Sequence, residues 1–121
     1  MAPTLTLLTQ TPRHIAKNET LTPAPEVRVA FTASDPDAQR AGEIVFLADL
    51  HGGDIEKVQR FSGSRPIVSR LGGRVYMESR FEGVRVREAG RYHLRVSAVL
   101  LDGSAGGVVL GSVDTAGFEV Y

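Results

Sequence analysis

The segment from Phe81 to Val96 constrains the fold of this chain more than any other stretch. Apolar residues alternate with charged or polar ones on both sides of a break at Glu88–Gly90, beginning at Val84 and resuming at Tyr92. A two-residue period is typical of β-strands that bury one face and expose the other to water. The segment therefore predicts two antiparallel strands joined at the glycine-containing break, with arginines on the exposed face.

Within this segment, Glu88, Gly90, Tyr92 and Leu94 are each separated by one residue. This spacing resembles the tyrosine corner of immunoglobulin-like sandwiches, in which a tyrosine hydroxyl bonds to the backbone a few residues upstream. Leu94 occupies the position at which a secreted domain carries its second disulfide cysteine. We expect the Tyr92 ring to be buried and its hydroxyl to hold the preceding corner in place.

Other short stretches also show strand patterns, among them Val27–Phe31, Val75–Tyr76 and Val108–Leu110. The paired glycines at positions 72 and 73 can supply the positive backbone angles of a tight hairpin. The stretch Ile44–Ala48 is continuously apolar. This pattern predicts a strand covered on both faces, in the centre of the sandwich or under a dimer partner.

A chain of 121 residues is long enough for one domain and too short for two. About seven or eight short strands with little or no helix predict an all-β, immunoglobulin-like antiparallel sandwich over residues 1–121. The polar residues from Ser34 to Gly42 predict a turn and at most a short helix. We expect a turn at His51–Asp54 and a flexible loop tip at Asp102–Gly107.

The chain contains no cysteine, and no apolar run approaches the ~20 residues that a membrane helix needs. We therefore expect an intracellular protein outside the membrane, held together by packing alone. Its 14 basic and 14 acidic residues cancel, yet residues 70–95 hold seven arginines against three glutamates. Arg85, Arg87, Arg91 and Arg95 either form a positive face or simply solvate exposed strands.

Residues suited to catalysis or metal binding form no recognisable motif. The three histidines lack the spacing of metal ligands, and zinc sites built on cysteine are excluded. The chain has no Gly-x-Ser-x-Gly elbow, and its paired glycines lack the lysine and hydroxyl residue of a phosphate loop. We therefore expect neither an enzyme, nor a bound metal, nor a small-molecule cofactor.

The stretch from Arg13 to Pro25 has no period and is long for a loop, and such loops commonly carry function. It contains Arg13, His14 and Lys17. A few cations on a loop are enough to contact the phosphates of double-stranded DNA. The alternative interpretation is that these three side chains are only solvated.

Four motifs resemble, in the same order, the velvet domain of fungal developmental regulators. They are Leu7-Leu-Thr-Gln-Thr-Pro12, Leu21-Thr-Pro-Ala-Pro-Glu-Val27, the Phe81–Val96 segment and Ser112–Tyr121. The resemblance reaches both ends of the chain, and the Phe81–Val96 segment is its most specific part. It implies a sandwich similar to the Rel homology domain.

The resemblance also implies a transcriptional regulator of the nucleus and cytoplasm that coordinates development with secondary metabolism. Velvet proteins act as homodimers or as heterodimers with other velvet proteins, and an N-terminal loop contacts DNA. That loop corresponds to Arg13–Thr22, which assigns DNA binding to Arg13, His14 and Lys17; the basic cluster of the family is replaced here by Asn18–Thr20. The alternative is a dimerisation module that modulates another regulator without contacting DNA.

Overall fold

A computed structural model of the protein describes residues 3–52, 59–101 and 107–121. Within these residues the chain forms ten β-strands and one 3-10 helix, Pro36–Glu43, which is capped by Asp35. The strands are β1 (Thr4–Thr9), β2 (His14–Ile15), β3 (Glu26–Thr32), β4 (Ile44–Gly52), β5 (Arg60–Ser62), β6 (Ile67–Leu71), β7 (Arg74–Arg80), β8 (Gly90–Leu100), β9 (Val108–Asp114) and β10 (Phe118–Val120).

The strands form two sheets. The first has the order β1-β3-β7-β6 and is antiparallel throughout. The second has the order β2-β10-β8-β4-β5, and β9 lies beside β8 on the same edge as β10. Strand β2 runs parallel to β10, whereas the other pairs of this sheet are antiparallel. This is the order of an immunoglobulin-like sandwich, and the predicted all-β fold is confirmed.

The core lies between the two sheets and follows from the alternation in the sequence. On β3 and β7 the inward residues are fully buried, as Val29 and Met77 show, while their outward neighbours stay in contact with water. Strands β4 and β8 supply the opposite layer, with Phe46 and Leu94 among the buried side chains. Each such side chain contributes ~1.5–3 kcal/mol by leaving water, which offsets the missing disulfide.

The predicted tyrosine corner is present. The Tyr92 side chain is 3% exposed, and its hydroxyl donates to the Glu88 carbonyl oxygen at 3.0 Å. Gly90 has φ +154°, and a Cβ atom there would lie 3.2 Å from the Tyr92 hydroxyl oxygen. Glycine at this position therefore lets the corner close against the tyrosine.

The strand predicted around Val84 and Val86 is wrong, although the predicted alternation is correct. Both valines are buried and the arginines beside them are exposed, yet the segment forms only an isolated bridge between Arg85 and Thr20. The physical reason is topology. The segment connects β7 of one sheet to β8 of the other, so it crosses the gap between sheets and cannot lie in the ladder beside β8.

Two other details differ from the prediction: the burial of β4, which was expected on both faces, and the number of strands. Strand β4 buries Ile44, Phe46 and Ala48 on one face only, whereas Val45 and Leu47 on the other face are half-buried. The strand count exceeds the prediction because β2 and β5 are too short to give a periodic signal. The glycine hairpin joins β6 to β7 as expected.

The turn expected at His51–Asp54 and the loop tip expected at Asp102–Gly107 fall mostly outside the described residues. None of the helical turns within the described ranges has the length and apolarity of a membrane-spanning helix.

We predict that Tyr92→Phe lowers the free energy of unfolding by about 1 kcal/mol, because the Glu88 carbonyl oxygen loses its donor. Tyr92→Ala should cost about 3–5 kcal/mol, because it also opens a cavity between the sheets. Denaturant unfolding measures both. Tyr76→Phe is the matched control, since the half-buried Tyr76 hydroxyl has no hydrogen bond within the described chain. Equal effects of the two phenylalanine variants would contradict the role of the corner.

Candidate functional site

The first half of the loop that starts at Arg13 is fixed to the last strand. The Glu119 amide donates to the Arg13 carbonyl oxygen at 2.8 Å, and the Tyr121 amide donates to that of Ile15 at 3.0 Å. The Lys17 amide in turn donates to the Tyr121 carbonyl oxygen at 2.8 Å. The Ile15 side chain is buried in the core. Backbone pairing therefore positions Arg13, His14 and Lys17, whose side chains remain exposed.

The second half of the loop is fixed to the corner segment, residues 81–89 between β7 and β8. The Asn18 amide donates to the Val86 carbonyl oxygen and the Leu21 amide to that of Val84, each at 2.9 Å. Asn18 adopts φ +66°, a left-handed conformation that asparagine tolerates better than most residues. The Leu21 side chain is 2% exposed and serves as an apolar anchor. These bonds bring the loop beside the arginines of the corner.

Two parts of the sequence thus form one cationic end of the sandwich. Its exposed basic side chains are Arg13, His14, Lys17, Arg85, Arg87 and Arg91. Arg13, His14 and Arg91 line a groove of about 330 Å³, and Arg85 and Arg87 line a second groove of about 600 Å³. The first three residues were predicted from the sequence, and the structure brings them together with the last three.

The charge of the cationic end is only partly neutralised. Arg13, Lys17, Arg87 and Arg91 have no carboxylate within ion-pair distance in the described part of the chain. Apart from Glu82, which pairs with Arg80, three glutamates belong to the same segments: Glu19, Glu88 and Glu119. Five lysines and arginines against three glutamates leave a formal surplus of two positive charges. Exposed cations without an acidic partner attract anions.

Of the four arginines that could form a positive face, Arg95 does not belong to this end. Its Nε donates to Asp114 Oδ1 at 2.9 Å on the exposed face of β8 and β9. That hydrogen bond holds the pKa of Asp114 below its ordinary value, and it raises the pKa of Arg95. A neighbouring acid therefore neutralises Arg95, whereas Arg85, Arg87 and Arg91 lie at the cationic end.

The second groove also contains an acceptor that the sequence did not reveal. The Oε1 atom of Gln59 is buried and has no hydrogen-bond donor within the described residues, and Gln59 lines the groove together with Phe61 and Asn18. The groove therefore offers guanidinium donors and one amide acceptor to a ligand. Only the pairing of distant segments creates this combination, so no local sequence signal could have predicted it.

The histidines do not form a metal site in the described part of the chain. His51 and His93 lie opposite each other on β4 and β8, and their rings stack with centroids 5.3 Å apart. His14 belongs to the cationic end. No group of three or more potential metal ligands occurs among residues 3–52, 59–101 and 107–121.

No protein-family model matches this chain, and no curated protein matches it at a significant level. The geometry of the cationic end is consequently the main guide to function.

We predict that Asn18→Val lowers the free energy of unfolding by about 1–3 kcal/mol, because a β-branched residue is strained at φ +66°. Asn18→Gly should change it by only a few tenths of a kcal/mol, since glycine adopts this angle freely. The control is Glu19→Val, which introduces the same side chain at the next exposed position. Unfolding in denaturant measures the free energy of unfolding of all three variants. Equal losses for both valine variants would show that the backbone conformation of the loop is not the cause.

The Arg95 and Asp114 pair makes stability depend on pH. The folded pKa of Asp114 lies below its unfolded value, so the pair stabilises the protein above the unfolded pKa, and this contribution disappears as pH falls through the folded pKa. The effect is small, because both side chains are about half exposed. We predict that the melting temperatures of wild type and Asp114→Asn differ at neutral pH and converge as pH falls below the ordinary aspartate pKa of about 3.9. A difference that stays constant over this range would contradict the prediction.

Proposed function

We propose that this domain is a velvet-like transcriptional regulator that binds double-stranded DNA with its cationic end. The observation that carries the proposal is the pair of hydrogen bonds from Asn18 to Val86 and from Leu21 to Val84. They hold the loop that carries the cations beside the segment that carries Arg85 and Arg87. Binding residues are often found on loops positioned in this way.

The expected binding is mainly to the phosphate backbone. Arginine and lysine release counterions when they contact phosphates, so affinity falls steeply as salt rises. Arg13, Lys17, Arg87 and Arg91 are free for such contacts, and His14 adds a hydrogen-bonding group. A cationic end with four to five contacts supports a salt slope of about −4 on a logarithmic scale. Sequence preference would have to come from side chains that reach base edges.

The remaining parts of the proposal concern location and assembly. A regulator of this kind works in the nucleus after synthesis in the cytoplasm, and we propose both locations. We also propose that it acts as a homodimer or as a heterodimer with a velvet protein. The small charge surplus of one cationic end supports assembly, because a second copy adds contacts to nucleic acid.

The proposal predicts that Arg13→Ala combined with Lys17→Ala weakens binding to a short mixed-sequence DNA duplex. Each lost phosphate contact reduces the salt slope by about 0.9, so the double variant should bind with a slope shallower by about two. Fluorescence anisotropy of a labelled duplex, titrated at several salt concentrations, measures both quantities. Circular dichroism confirms that the variant is folded.

The matched control removes two positive charges from outside the cationic end. Arg40→Ala combined with Arg95→Ala changes the net charge equally, and both residues lie outside the cationic end and outside β6. Its affinity and salt slope should stay close to those of wild type. Equal weakening by the two double variants would indicate diffuse attraction by net charge, and the cationic end would no longer be the binding site.

A second candidate function is a protein-interaction module that modulates another regulator. The observation that favours it is the exposed apolar strand β6, which is described below. If the domain fails to bind DNA at low salt, alone and together with a velvet partner, the interaction module becomes the better proposal. Retained binding that depends on Arg13 and Lys17 favours the DNA-binding regulator.

A further inference from the structure

Strand β6 is an open edge with unusually exposed apolar side chains. All five of its residues are exposed, and it ends the sheet beyond β7. Ile67 is 72% and Leu71 is 75% exposed, the highest values among the exposed large hydrophobic residues of the described chain. Because side chains directly opposite each other share a face, Ile67, Ser69 and Leu71 lie on the outer face with Tyr76.

The edge lacks most features that prevent strands from pairing with another chain. Its register with β7 is regular and has no bulge, and the strand contains neither proline nor lysine; Arg70 is its only charged residue. Other edges differ. Strand β5 has only three residues, and its Arg60 is paired with Asp49. Strand β1 exposes Thr4 and Thr6. Edge β6 therefore offers its free backbone donors and acceptors next to apolar side chains.

The sequence of β6 is complementary to itself. An antiparallel pair centred on Ser69 places Ile67 opposite Leu71 of the second copy, and Leu71 opposite Ile67. We propose that β6 binds β6 of a second copy of this chain in this register, about a two-fold axis at Ser69. Such an isologous contact joins two four-stranded sheets into one continuous sheet. Backbone hydrogen bonds supply affinity and the apolar pairs fix the register.

The charged residues on β7 are compatible with a second copy bound in this register. Glu78 lies beside Ile67 and Arg74 lies beside Leu71 on the neighbouring strand. In the proposed register each pair of Ile67 and Leu71 therefore has Glu78 of one copy on one side and Arg74 of the other copy on the other side. Like charges do not meet. Arg70 is on the inner side of β6 and is exposed, so its charge stays in water. An apolar centre with a charged rim is typical of protein interfaces.

The proposal names the surface of a homodimer and does not depend on DNA binding, because the strand shares no residue with the cationic end. A contact limited to one short strand belongs to the weak class of interfaces. We therefore expect a monomer–dimer equilibrium that depends on protein concentration. Sedimentation velocity over a range of concentrations measures it for the whole chain.

A charge swap tests the register. Ile67→Lys combined with Leu71→Lys places lysines opposite lysines, and Ile67→Glu combined with Leu71→Glu places glutamates opposite glutamates. Each double variant alone should weaken the dimer by about tenfold or more, because like charges face each other across the strand pair. An equimolar mixture of the two variants should regain dimerisation, since every lysine then faces a glutamate.

Two controls accompany the swap. Val109→Lys adds a charge at another exposed apolar residue, on β9, and should leave the dimer intact. Melting temperatures of the double variants should stay near that of wild type, because the replaced side chains are largely in solvent. The proposal is overturned if wild type is monomeric at every concentration, if the double variants dimerise as wild type does, or if the mixture shows no recovery. The variants retain Arg13 and Lys17, so DNA binding is tested separately from dimerisation.

Discussion

The structure depends most on the hydrogen bond from the Tyr92 hydroxyl to the Glu88 carbonyl oxygen. The chain crosses there from one sheet to the other without a disulfide, since the sequence has no cysteine and Leu94 lies in the buried layer. A buried hydroxyl without a partner costs about 1–3 kcal/mol, so the corner and the tyrosine stabilise each other. The Tyr92 ring also lies 6.2 Å from that of Phe118, which ties the corner to the last strand.

The cationic end is a consequence of that same crossing. Because the corner segment runs between the sheets instead of within one, its backbone carbonyls at Val84 and Val86 are available to the first loop. The buried valines orient the segment, and the alternating residues Arg85 and Arg87 must then face water. One local pattern therefore supplies a core contact, a docking edge for a loop and two cations. Fold and candidate site therefore share their residues.

Much of the fold was predictable because local patterns determine it. The two-residue period identified β3 and β8, paired glycines identified the hairpin between β6 and β7, and the spacing of Gly90 and Tyr92 identified the corner. Short or unpatterned segments were not predictable: β2 is only two residues long, and its pairing with β10 joins residues about a hundred positions apart. The candidate site was predictable only in part. Arg13, His14 and Lys17 could be predicted as site residues because they lie in a long loop without a period. The contribution of Arg87 and Arg91 could not, because it requires long-range hydrogen bonds that no local pattern encodes.

The positions of the two proposed surfaces limit how a dimer can use DNA. Residue Ile67 starts β6 near the cationic end, and Leu71 finishes it near the opposite end, as the pairing with β7 shows. An antiparallel pair of β6 strands therefore directs the two cationic ends away from each other. Dimeric DNA-binding proteins that read adjacent half-sites place both reading elements on one side of the duplex. A dimer formed through β6 has a different geometry: each copy would present its cationic end to a separate stretch of DNA, and the dimer would gain contacts by bridging two duplexes or two distant segments of one.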